Sequence, residues 1–174
     1  MATILSSIQK IFLYLTLVLI GLYAGMLFNH KICPVETQLN PIEYAKYWKI
    51  VDGTFMHERM GIMGPGMGIV FVITILLFLK NWKSLSFLFM TLSFIAFYLD
   101  ISFTFTDQLP INAYINALDL KNITAMQLKQ LTEFQAKAIS NFDTRFIHSS
   151  ISFLLLCLSP FFLNRLSKKT TKFD

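Results

Sequence analysis

The sequence predicts an all-α integral membrane protein, a four-helix bundle with both termini cytoplasmic and two long, partly helical outer connections. Three observations predict it. First, 55% of the 174 residues are hydrophobic and only 14% are charged, with 18 phenylalanines and a mean hydropathy of +0.57; water-soluble domains are not built this way. Second, four apolar runs, about 9–29, 62–79, 84–105 and 145–163, approach the roughly 20 residues a helix needs to cross a bilayer. Third, the basic residues sit in short flanks of those runs. The net charge of +5 therefore reads as membrane orientation, and nucleic acid is not an expected partner.

The first run follows Lys10 and continues to about Phe28. It is longer than the apolar core of a secretory signal and ends in no small-x-small cleavage site, so a retained helix is expected. Lys10, the short loop Lys80-Asn81-Trp82-Lys83 and the tail residues Arg165, Lys168, Lys169 and Lys172 fall on one side of a four-span chain. The positive-inside rule makes that side cytoplasmic and points to a bacterial inner membrane, with the whole of 1–174 as a single membrane domain. The outer segments are then about 30–61 and 106–144. Cys33 and Cys157 have neither disulfide-framework nor CxxC spacing, so no pair within one chain is expected.

The outer segments carry their own structure. Pro41 to Asp52 places Tyr44, Trp48 and Val51 at helical spacing with lysines elsewhere, an amphipathic helix suited to the interface or to capping the bundle. Asp52-Gly53 and the glycine run Gly61, Gly64, Gly66 and Gly68 are expected to punctuate the approach to the second span. Gly21/Gly25 and Gly64/Gly68 have the spacing that lets membrane helices approach closely, inside one bundle or between copies. After the third span, Asp107 to Asp119 reads as a turn and a short helix. Thr124 and Gln127 have capping-box spacing, and no strong breaker follows before Ser159, so a helix is expected to run unbroken into the fourth span.

The candidate chemistry lies where ionisable residues enter the apolar runs, because charge inside a bilayer is costly and marks function by default. Arg145, His148, Ser149 and Ser152 share one helical stripe. Ser93, Asp100 and Thr104 mark the inward face of the third span, with Asp100 roughly 7 Å from its outer end at 1.5 Å per residue. Asp100 can pair with Arg145 or Arg59. In a functional reading Arg145, Asn112 or His148 stabilises a developing oxyanion while a carboxylate or neutral histidine takes a proton. All three histidines, His30, His57 and His148, fall near outer helix ends and make up a candidate metal or haem set, although no HxH or HExxH pair fixes a geometry. Met56, Met60, Met63 and Met67 form a thioether stripe that suits packing better than Cu(I). Ser149 and Ser152 belong to no nucleophile motif.

The order of these features resembles the anthrone-oxygenase-like family of small four-helix membrane proteins. The resemblance is carried by Leu22-Tyr23-Ala24-Gly25-Met26-Leu27-Phe28 closing the first helix, Pro34 after it, an amphipathic segment containing Asp52, the Pro110-Ile111-Asn112 element, and a polar turn ending in Arg145. It implies an oxygenase that converts an anthrone to an anthraquinone without a redox cofactor, with Asn112 and Arg145 at the matched positions; Asp100 and His148 are added from the residues themselves. The stretch ahead of Arg145 departs from the family in lacking a tryptophan.

The leading expectation is thus an oxidoreductase acting on an aromatic or quinone-like molecule in an outer pocket. Two others stand beside it: a metal- or haem-binding membrane protein using the outer histidines, and a non-enzymatic accessory subunit or assembly factor. The expected partners are the lipid bilayer, an aromatic ligand, and a homo-oligomer or larger membrane complex.

Overall fold

A computed structural model describes residues 7–165. Lys168, Lys169 and Lys172 lie outside the described residues, as do the side chains of Arg165 and His57. Every regular element among the described residues is helical: α1 (Ser7–Ile32), α2 (Pro41–Ile50), α3 (His57–Phe78), α4 (Leu85–Phe103), α5 (Leu109–Ala117) and α6 (Ala125–Leu158), with short 3-10 turns at Val35–Thr37, Leu79–Asn81 and Ser159–Arg165. Four of the helical stretches are long and apolar enough to cross a membrane.

Local chemistry explains the helix starts. Asn40 accepts from the backbone of Ile42 and Glu43 while the Glu43 carboxylate accepts from the Asn40 N–H, a complete capping box with Pro41 just inside. Ser84 caps α4, and Thr124 with Gln127 forms the expected box at α6. From there α6 runs 34 residues without a break, as the absence of breakers predicts, so the polar turn expected ahead of Arg145 does not form and Arg145 lies mid-helix.

Two expectations are corrected. Asp52-Gly53 and the glycines after it make no turn; the chain stays helical from Pro41 to Phe78 through a π-helical segment, Val51–Met56. The third span likewise makes no turn before Pro110, because a second π segment, Thr104–Gln108, carries it directly into α5. A π turn absorbs an extra residue and re-aims the side chains beyond it, so a breaker-like sequence can bend a helix's facing without ending it. Pro110 sits in the first turn of α5, where its missing N–H costs little.

The glycine pairs behave unequally. A Cβ on Gly21 would meet the Phe153 ring at 2.9 Å, so α1 and α6 do approach closely there. Gly25, Gly64 and Gly68 face open space. Their spacing does not mark helix contacts inside this bundle.

One buried apolar cluster draws on all six helices, among them Leu13, Ile20, Tyr44, Trp48, Phe71, Met90, Phe97, Ile111, Leu131 and Phe142. Large apolar side chains also line the outside, such as Ile11, Leu22, Ile69, Leu76, Ile95 and Leu154, as expected where lipid replaces water. The tightest seam joins α4 and α6 in antiparallel register, with polar or small residues seven apart on each helix. The Ser93 hydroxyl donates to the Ser152 carbonyl at 2.6 Å, and Arg145 Nε lies 3.4 Å from Asp100 Oδ1. The same register carries the fully buried Ser86 and Ser159 in the next layer. α2 and α5 pack over one end of the bundle, the capped end.

Candidate functional site

Two polar networks occupy the capped end, stacked along α6. The inner one is made by α1, α4 and α6. Asp100 is fully buried; its Oδ2 accepts from the Tyr23 hydroxyl, whose oxygen in turn accepts from Arg145 Nη2 at 2.9 Å. Tyr23 thus bridges the two charged groups, and its ring is held edge-on by Phe97. His148, one turn beyond Arg145, lies within electrostatic reach of Asp100 and packs against the Phe103 ring edge. Asp100 Oδ1 and Arg145 Nε face each other as an ion pair at 3.4 Å outside hydrogen-bond geometry, and His148 Nδ1 is buried with no hydrogen-bond partner. Since the large majority of buried side-chain polar atoms in folded proteins are satisfied, the unbonded His148 nitrogen is conspicuous.

The outer network is fully engaged. Asn112 Oδ1 accepts from Trp48 Nε1 at 3.0 Å and from Gln108 Nε2 at 2.9 Å, while Asn112 Nδ2 donates to Asp52 Oδ1 at 2.9 Å. The other Asp52 oxygen accepts from Asn116, and Gln108 accepts from Asn141 of α6 at 3.2 Å. Lys49 donates to the Asn116 and Leu118 carbonyls at the end of α5. Both π segments feed this network, one with Asp52 and the other with Gln108. A Cβ at Gly53 would lie 3.6 Å from Asn116 Oδ1, so the α2–α3 backbone passes close to α5 here.

The four expected catalytic residues therefore divide. Asp100, Arg145 and His148 come together with Tyr23, whereas Asn112 belongs to the neighbouring network and reaches α6 through Gln108 and Asn141. Arg145 is the partner the structure gives Asp100. Tyr23, Trp48, Gln108 and Asn141 join the site without having been singled out for chemistry, because an aromatic in an apolar run reads as packing and a lone amide carries no motif.

His30 is elsewhere. Its Nδ1 lies 2.8 Å from Glu36 Oε1 and its ring stacks on Phe142 at 4.2 Å. No group of three His, Cys, Asp or Glu side chains that could hold a metal forms among the described residues, and His30 and His148 belong to different clusters. Met67 is buried while Met63 is exposed, which is how a packing stripe on a bundle-lining helix is distributed. Both cysteines are free.

No protein-family model, no curated protein and no solved structure matches this chain.

Proposed function

We propose that this chain is an inner-membrane oxidoreductase that oxidises an aromatic or quinone-like small molecule at the capped end of the bundle, with anthrone-oxygenase-like chemistry. The observation that carries this reading is the buried Asp100–Tyr23–Arg145 centre beside His148, whose Nδ1 makes no hydrogen bond, in stretches apolar enough to span a bilayer. A buried ion pair is weak support for stability, since desolvation cancels much of the attraction. Retaining one beside an unbonded imidazole nitrogen suits a site that receives a polar group.

In the proposed reaction His148 takes a proton from the ring carbon flanking the substrate's fused rings. Arg145, with guanidinium N–H groups beyond the one given to Tyr23, stabilises the resulting enolate oxygen. The electron-rich enolate reduces molecular oxygen. One oxygen atom becomes the new carbonyl, and the other leaves as water with the two hydrogens removed from carbon. Asp100 holds Arg145 in place, and the Asn112 network fixes the cap over the centre. The capped end faces outward, with the termini and the Lys80–Lys83 loop cytoplasmic.

The purified full-length protein is expected to consume oxygen with an anthrone substrate, and Arg145→Ala to lower turnover at least about 100-fold, the usual scale for losing one oxyanion donor. Absence of aromatic binding together with unchanged activity in Arg145→Ala ends this reading. The completeness of the Asp52–Asn112–Gln108–Asn141 network favours a second reading, a non-enzymatic accessory subunit in which polar contacts only hold the bundle. There, His148→Ala and Asp100→Asn lower stability or complex formation, and no turnover exists to be lost.

A further inference from the structure

A separate cavity of about 230 Å³ opens at the capped end between the end of α1, the Val35–Thr37 turn and α6, lined by His30, Lys31, Glu36, Phe142 and Asp143 among others. Its chemistry is distinct from that of the buried centre. The Glu36 side chain is 4% exposed and the His30 side chain 13%, so a carboxylate and an imidazole meet almost out of solvent. Glu36 engages Nδ1, which holds the proton on that nitrogen and leaves Nε2 as the basic atom. Phe142, stacked parallel to the imidazole with an 8° interplanar angle, fixes the ring's orientation and adds an apolar edge to the lining. Lys31 reaches Asp143 across the mouth. Its ammonium has three donors, so the ion pair leaves capacity for a second anion.

The loop that carries Glu36 has a tether independent of the pair. Gln135 of α6 already donates to the Glu36 carbonyl at 3.0 Å and to the Leu39 carbonyl at 2.9 Å. The cavity volume also limits what it can take. Pockets for drug-sized ligands run from about 300 to 1,000 Å³, so this one suits a single ring and excludes a three-ring anthrone.

The geometry points to a second small-molecule site, in which the His30–Glu36 pair accepts the proton of a single-ring phenol and Lys31 faces the phenolate. The O–H bond of the phenol breaks, its proton passes to His30 Nε2, and the electron pair stays on the phenolate oxygen. No oxidant is involved. Glu36 stabilises the imidazolium through Nδ1–H, and Asp143 keeps Lys31 at the mouth. The inference is independent of any reaction at Asp100 and Arg145.

The test uses the full chain in detergent with 4-nitrophenol, whose phenolate absorbs in the visible. At a fixed pH below the probe's own ionisation, the wild-type chain is expected to raise the phenolate fraction saturably, lowering the probe's apparent midpoint by about one unit. His30→Asn and Glu36→Gln are each expected to abolish that shift at equal detergent, and Lys31→Gln, at an exposed position, to reduce it even if the buried variants fail to fold. His148→Ala is expected to retain it. An equal signal from wild type, Glu36→Gln and Lys31→Gln overturns the site. So does a signal lost in His148→Ala but kept in the Lys31 and Glu36 variants, which places the phenol in the buried centre.

Discussion

Asp100 and Arg145 sit 3.4 Å apart in a bundle where neither charge has water to fall back on. Removing one charge leaves the other uncompensated, which in buried pairs costs about 3–5 kcal/mol. Asp100→Asn is expected to lose that much in detergent unfolding, whereas Tyr23→Phe, which removes one bridging hydroxyl, is expected to lose about 1–3 kcal/mol. Tyr44 gives the opposite case. Its hydroxyl is buried without a hydrogen bond, and burial, followed by the nearby Glu36 and Asp52, pushes its ionisation above the ordinary tyrosine range. The folded state therefore favours the neutral phenol. That contribution is intact below about pH 10 and lost as pH rises further. Tyr44→Phe is expected to be neutral or slightly stabilising near pH 7 and to soften the alkaline loss of stability, both readable from unfolding at two pH values. Arg145, Asp100 and His148 were legible because charge in an apolar run has no bland composition to hide in. Tyr23 was not, since its hydroxyl acts only once α1, α4 and α6 are packed.

At the level of elements, the contact between α1 and α6 turns on a single glycine. Gly21→Ala drives a methyl into Phe153 and is expected to cost about 1–3 kcal/mol, as overpacking does. Gly25→Ala, with nothing within 4 Å, is expected to be neutral or to gain up to about 1 kcal/mol from helix propensity. Thermal unfolding of the two single variants separates them. The π segments were invisible in the sequence because hydrophobic periodicity reports an average pitch, and a single wide turn shifts phase without breaking it. Asp52-Gly53 looked like a turn for the same reason that it forms a π turn: glycine lowers the local preference for regular α geometry. Deleting Gly53 restores a regular pitch and rotates Asp52 by about 100° relative to α3. The expected result is loss of the Asp52–Asn112 bond and of any activity that depends on the cap, with the transmembrane helices still formed by circular dichroism.

Across the whole molecule, length decides the layout. At 1.5 Å per residue the 34 residues of α6 span about 51 Å, well beyond a hydrocarbon core of about 30 Å. A helix of that length crossing a bilayer leaves about 20 Å clear of the core, and α2 and α5 pack along the N-terminal, more polar part of α6. The four long apolar helices and the capping boxes were legible in apolar runs and capping residues; that α2 caps the bundle rather than lying in the interface, and which network each polar residue joins, were not, because both depend on the angle between helices. Cys33 is exposed at the capped end while Cys157 lies within α6. If that end faces outward, a membrane-impermeant thiol reagent is expected to label Cys33 on intact spheroplasts and to leave Cys157 unlabelled until the membrane is dissolved.

The unbroken course of α6 also has a geometric side. Phe142 lines the surface cavity, Arg145 lies in the buried centre less than one turn further on, and Ser152 locks to α4 beyond it. With no break in the helix between them, the cavity wall, the guanidinium and the α4 contact hold one fixed angular and axial spacing. The helix is a ruler as well as a wall.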